Sequence, residues 1–236
     1  MNPDTPMILA IDTATEACSA ALAQGDKITT RFKIAPREHT KLILTMMDEV
    51  LEKSASKLSN INAIAFGRGP GAFTGVRIAT GVAHGVSLSV DKQLLPISTL
   101  VAIAQQMHEE QGATHCIAAI DARMGEVYWG KYRVENGIMI LQGEEAVSKP
   151  EALLQSLENK NWLVAGSGWD EYAEQLDSAN NPQISKVDNI LPSAQYIARL
   201  AVDDWKQGKA VTAEQAQPIY LRDKVAQTIA ERSVTT

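Results

Sequence analysis

Cysteine is almost missing from this chain of 236 residues: only Cys18 and Cys116 occur, far apart and without CxxC spacing. Two isolated thiols build neither a disulfide framework nor a cysteine-rich zinc site, so a reducing compartment is expected. Histidine is nearly as sparse. His39, His84, His108 and His115 include no HxxxH or HExxH pair, so no two imidazoles stand one helical turn apart and no tightly bound zinc or iron is expected. Aromatic residues, at 5%, are too few for base-stacking platforms. Positive charge is in deficit as well: 22 Lys and Arg against 28 Asp and Glu leave −6. That balance argues against a free-standing nucleic-acid binder, and any contact with RNA is expected to be indirect. The apolar run Met7 to Ile11 is too short for a signal peptide or a membrane span, and Met1 to Pro6 carries no basic segment, so a cytoplasmic location is expected. There is no GxSxG for a serine hydrolase.

What is present is a globular composition, 45% hydrophobic and 21% charged, long enough for one large domain or two lobes. Met7 to Ile11, the turn residues Asp12 to Glu16, and the small apolar stretch Cys18 to Ala23 predict a β-hairpin, with a third strand over 27–34 after Gly25-Asp26. After Pro36 the period changes. Leu42, Met46 and Val50 form one row, Ile43, Met47 and Leu51 the next, which predicts a helix with a wide apolar face. Ile61 to Phe66 reads as a strand running into Gly67-Arg68-Gly69-Pro70-Gly71, and Thr74 to about Val90 as a helix capped by Thr74. That helix carries Gly75, Ala79, Gly81, Ala83 and Gly85. Each interior glycine costs up to about 1 kcal/mol against alanine, so close approach of another backbone is expected. Strands over 94–97, 115–121, 127–133 and 162–165 and helices over 99–110, 150–157 and 193–205 complete the pattern.

The chain also repeats itself. Ala10-Ile11-Asp12 and Ala119-Ile120-Asp121 each precede a turn, a strand, a second turn and a further strand, at an offset close to half the length. An α/β protein of two lobes with duplicated mixed sheets is therefore expected, residues 1–108 and 109–236, with the last helix able to pack back on the first lobe.

Two constellations bear on chemistry. Asp12 and Asp121 end the first strands of the halves and face each other in a two-lobe arrangement, where a fold of the actin, Hsp70 and sugar-kinase (ASKHA) type holds a magnesium nucleotide. The commoner role for such an aspartate, bonding the turn it opens, fits the same spacing. The glycine-rich turn before the small-faced helix, with Gly69 and Gly71, could cradle an anion together with Asp12 and Thr13, yet it is neither a P-loop nor a dinucleotide fingerprint. A tight turn that lets the helix dock accounts for it equally.

Ile8 to Thr15, Arg37-Glu38-His39-Thr40-Lys41-Leu42, Gly67 to Arg77, Ala119 to Tyr128 and Pro218-Ile219-Tyr220-Leu221-Arg222 together resemble the TsaB family, also called YeaZ. The resemblance implies an ASKHA-type fold and a part in making N6-threonylcarbamoyladenosine beside the tRNA anticodon. It implies no catalysis by this chain: the TsaD paralogue holds its metal through a His-x-x-x-His pair, where this sequence reads Ser98 to Ala104 without histidine. TsaD as heterodimer partner, the ATPase TsaE, and a homodimer when alone are implied as partners. A dimer contact through the two first-lobe helices places His39, Leu42, Ile43, Met46, Met47, Val50, Gly75, Ala79, Val82, Ala83 and Val86 at a partner interface. No tightly bound cofactor is implied, with a nucleotide at a partner interface left open. The competing readings are a magnesium-dependent ATPase or kinase using Asp12 and Asp121, and, more weakly, a glycoprotease-like peptidase.

Overall fold

A computed structural model describes residues 5–157, 160–176 and 181–222; the outermost residues of both expected lobes, 1–4 and 223–236, lie outside them. The first half runs β1 (Met7–Asp12), β2 (Ala17–Gln24), β3 (Lys27–Ile34), α1 (His39–Lys53), β4 (Ala63–Gly67), α2 (Phe73–Val90), β5 (Gln93–Ile97) and α3 (Thr99–Gln111). The second runs β6 (His115–Arg123), β7 (Glu126–Glu135), β8 (Ile138–Leu141), β9 (Ala146–Ser148), α4 (Pro150–Gln155), β10 (Trp162–Ala165), α5 (Ser167–Glu171), β11 (Ile184–Val187) and α6 (Ala194–Lys206).

The two sheets have one topology. The first is ordered β3-β2-β1-β4-β5, antiparallel across β1, β2 and β3 and parallel across β1, β4 and β5. The second is ordered β11-β10-β6-β7-β8, with the same antiparallel and parallel halves, and β9 added against β7. Alternation explains how each central strand serves two cores. Leu9 and Ile11 of β1 face α1 and α2, while Ile8 and Ala10 face α6. In β6, Ile117 and Ala119 face α4 and α5, while Cys116, Ala118 and Ile120 face α3.

The helices are exchanged between the halves. α6, from the end of the chain, covers the inner face of the first sheet, and α3, from the first half, packs its Leu100, Ile103, Ala104 and Met107 on the second. α3 and α6 also meet each other, so the order of layers is α1 and α2, first sheet, α6, α3, second sheet, then α4 and α5. A boundary drawn at 108/109 thus falls inside α3, whose core contacts lie largely with the second sheet. Ser98 and Ser193 cap α3 and α6, accepting from the N–H of Leu100 and of Gln195 at 3.1 and 3.3 Å. The α2 helix begins one residue before the expected Thr74, with Ala72 as N-cap and no side-chain cap. Among the described residues no helix is long and apolar enough to cross a membrane.

The wide apolar face of α1 is consumed within the lobe. Ile43, Met46, Met47, Val50 and Leu51 lie in one core with Leu9, Ile11, Leu22, Phe66, Ala79 and Ala83. Their burial is worth roughly 1.5–3 kcal/mol per large side chain. Of the residues expected at a partner interface, Ile43, Met46, Met47, Val50, Ala79 and Ala83 are spent in this core, because α1 and α2 lie side by side on the sheet, and His39 and Gly75 are buried as well. Leu42, Val82 and Val86 remain partly exposed.

Candidate functional site

A cleft of about 640 Å³ opens between the lobes. Ala14 to Glu16, Gly71 to Phe73 and Arg77 form its first-lobe wall; Ile120 to Arg123, Tyr128, Ser167 and Glu171 form the second, and Tyr220 and Arg222 close one side. Of the residues expected at a nucleotide or phosphate loop, Gly71 and Asp121 line this cleft. Asp12, Thr13 and Gly69 do not.

The reason lies in how the turn after β1 meets the start of α2. A Cβ on Gly67 would stand 1.8 Å from Asp12 Oδ2, on Gly71 2.4 Å from the Ala14 carbonyl oxygen, and on Gly75 2.0 Å from that of Thr13. Backbone therefore lies directly on backbone. Thr13 Oγ1 donates to the Gly75 carbonyl at 2.7 Å, and the Ala72 N–H donates to the Ala14 carbonyl at 2.7 Å. The close approach expected of the small-faced helix is thus met at Gly75 by the chain's own turn. Asp12 is sealed beneath, wholly buried, with Oδ1 accepting from the Ala14 N–H at 3.1 Å and Oδ2 without a partner among the described residues. Burial raises its carboxyl from the usual 3.8 to about 7, against the lowering by the Ala14 N–H.

Asp121 reaches the cleft wall but is engaged by its own lobe. Its Oδ1 accepts from the Arg123 N–H at 2.7 Å and the Tyr172 hydroxyl at 3.0 Å, and its Oδ2 pairs with Arg123 Nη1 at 2.9 Å. The two aspartates equivalent by repeat do not both reach the cleft: Asp12 is wholly buried against Gly67, and Asp121 is tied into a hairpin. Both cysteines are buried, and burial raises both thiols, that of Cys18 to about 11, which leaves neither as a ready nucleophile. Among the described residues no group of three or more His, Cys, Asp or Glu side chains is placed to hold a metal ion.

The groups that line the cleft mouth were not singled out by spacing. Arg77 stacks on Phe73, 3.9 Å from the ring centroid, and donates to the Tyr220 hydroxyl at 3.0 Å, while Arg222 grips the β6–β7 hairpin. The sequence signals were the stretches Gly67 to Arg77 and Pro218 to Arg222, and nothing local in the second says where it folds back.

A second surface lies on α2. Ile78, Gly81, Gly85, Leu88 and Ser89 fall on one stripe away from the sheet; a Cβ on Gly81 or Gly85 would meet nothing within 4 Å, and Leu88 is 75% exposed.

Two lobes of equal topology, each led by an antiparallel hairpin whose first strand carries an aspartate near its end, with a cleft between them, define an α/β protein of the ASKHA type. Comparisons narrow this. A protein-family model described as "TsaD: tRNA N6-adenosine threonylcarbamoyltransferase" matches residues 30–229. The tRNA threonylcarbamoyladenosine biosynthesis protein TsaB of Escherichia coli K12 is 44% identical over 93% of this chain and 96% of its own. That of Haemophilus influenzae is 40% identical over 92% and 94%. The solved structure of YeaZ from Pseudomonas aeruginosa is 43% identical, covers 92% of this chain and all of its own, and superposes with a TM-score of 0.86. The chain belongs to the TsaB (YeaZ) family.

Proposed function

We propose that this chain acts in tRNA threonylcarbamoyladenosine biosynthesis in the cytoplasm as the non-catalytic partner of a TsaD-type transferase, docked through the outer stripe of α2. The names of its relatives support the pathway. The docking surface rests on Gly81 and Gly85. Each costs the helix up to about 1 kcal/mol against alanine, and neither is needed by any contact among the described residues, whereas a partner helix packing there needs side chains to be absent. Ile78, Val82, Leu88 and Leu42 of α1 supply apolar area beside them. The same surface would serve a homodimer in the absence of TsaD, and TsaE is expected to join the assembled pair. A nucleotide, if one takes part, belongs at that interface.

Non-catalysis is supported by the sealing of Asp12 and by the buried thiols. An ATPase or kinase working through Asp12 and Asp121 needs both carboxylates at one phosphate chain, and a peptidase needs an accessible activated nucleophile. The isolated chain is expected to turn over no ATP; steady hydrolysis that disappears in Asp12→Asn would restore the kinase-like reading.

Charge placed on the α2 stripe tests the docking. Leu88→Glu and Gly85→Glu point to solvent, so their thermal midpoints should stay near the parent's, within the roughly 0.5 kcal/mol usual for surface changes. Both should abolish co-elution with TsaD at micromolar concentration, as burying an unpaired carboxylate costs 2 kcal/mol or more, roughly, at the centre of an interface. Ala83→Glu, on the opposite side of the helix, should unfold the lobe. Folded Leu88→Glu and Gly85→Glu that still co-elute place the contact elsewhere.

A further inference from the structure

After α6 the chain runs back over the first lobe. Val211 and Leu94 exchange two backbone hydrogen bonds of 2.9 Å at the free edge of β5. Ala216 is fully buried in the core shared with α1 and α2, and its carbonyl accepts from His84 Nε2 of α2 at 2.7 Å. The Ile219 N–H donates to the Arg68 carbonyl at 2.9 Å, and the Tyr220 hydroxyl accepts from Arg77 with its ring 5.5 Å from that of Phe73. Every one of these anchors belongs to the first lobe.

Arg222 then crosses to the second. Its guanidinium donates to the carbonyls of Ala122 at 3.0 Å and Arg123 at 3.3 Å and pairs with Glu126. It is mostly shielded from solvent, so this is a multidentate charged contact and not a loose surface pair. The hairpin tip it holds has three successive left-handed residues, Arg123 at φ 64°, Met124 at 59° and Gly125 at 76°. Two of them are not glycine, and such backbone persists where its surroundings over-determine it. From the same tip Arg123 reaches Glu16 of the first lobe at 3.5 Å.

We propose that residues 211–222 are a strap, anchored along the first lobe, whose Arg222 clasps the β6–β7 hairpin and sets the angle between the lobes, and with it the opening of the cleft. In the middle of the molecule the lobes meet through α3 against α6, a helix pair that can slide or rock by small steps. At the cleft mouth the described polar contacts that the hairpin tip makes with the strap and the first lobe are those of Arg222 and the Arg123–Glu16 pair. Releasing Arg222 leaves one long, largely exposed ion pair to hold the mouth. The strap does not depend on the partner reading, since all its contacts lie within one chain.

The lobe-to-lobe distance tests it. Cys18 and Cys116 are buried, so cysteines introduced at exposed Asp48 in α1 and Glu151 in α4 take spin labels selectively. Dipolar spectroscopy on the free full-length chain should give a longer and broader distance distribution in Arg222→Ala than in the parent. Tyr220→Ala, which loosens the strap from α2 but keeps Arg222, should shift it the same way. Arg222→Lys keeps the charge on Glu126 without bridging the two carbonyls and should fall between. An unchanged distribution in Arg222→Ala overturns the proposal, and a shift there with none in Tyr220→Ala overturns the role of the strap. Should Arg222→Ala fail to fold, Glu126→Gln releases the clasp from the other side and is read in the same way.

Discussion

Replacing Gly75 by alanine is expected to destabilise the protein by roughly 3 kcal/mol or more, while the same change at Gly81 or Gly85, in the same helix, stabilises it by about 0.5–1 kcal/mol. At Gly75 a methyl group would sit 2.0 Å from the Thr13 carbonyl oxygen, which is backbone and cannot rotate away. The turn that holds Asp12 and Thr13 would have to lift off α2, breaking the hydrogen bonds from Thr13 to the Gly75 carbonyl and from Ala72 to Ala14. At Gly81 and Gly85 the methyl meets nothing, so only the gain in helix propensity remains. For a chain of this size about 2–4 °C of melting temperature per kcal/mol makes the opposite signs easy to resolve. A Gly75→Ala protein as stable as Gly81→Ala would mean that the turn is not pressed on the helix.

The second large effect is electrostatic and depends on pH. Asp12 has its carboxyl raised to about 7 in the fold by burial, against 3.8 when unfolded. Between those values the folded chain keeps a proton that the unfolded chain has released, so stability must fall as pH rises from about 4 to about 7. About three units at 1.36 kcal/mol each put the loss near 4 kcal/mol at most. Asp12→Asn holds the same shape without an ionisable group. Its stability curve should lack that slope, crossing above the parent's near neutrality, less whatever an unpaired buried amide costs. Chemical denaturation at closely spaced pH values gives both curves; parallel profiles would mean that Asp12 is ionised in the fold and has found a partner.

Much of this architecture was legible because it depends on local period. The runs around Ile8 to Asp12 and Cys116 to Asp121 alternate between two cores, and the repeat of Ala-Ile-Asp reports a repeated topology that the two sheets display strand for strand. The sidedness of α2 was not legible. A helix of glycine, alanine and valine carries the same small residues on both faces, so Ala83 in the core and Gly85 in solvent look alike in sequence. What covers the wide face of α1 was not legible either: a neighbouring helix and a sheet share its burial, and periodicity counts apolar rows without saying how many elements they meet. The burial of Asp12 rests on its fit against Gly67, distant in sequence, and the meeting of Arg77 with Tyr220 turns on a tail that returns across the lobe. Contacts of that range leave no periodic trace.

The exchange of α3 and α6 also fixes an order of completion during synthesis. The last strand of the first sheet ends at Ile97, yet the helix that covers its inner face ends at Lys206. At roughly 5–20 residues per second the growing chain carries that sheet for about 5–20 s with one side bare. Ile8, Ala10, Ala21, Leu95 and Ile97 form the bare side, an apolar plane with no partner yet made. A ribosome that stalls midway therefore exposes a nearly finished lobe with an open face, the kind of surface that holdase chaperones shield. The half of the molecule made first is the half whose interior closes last.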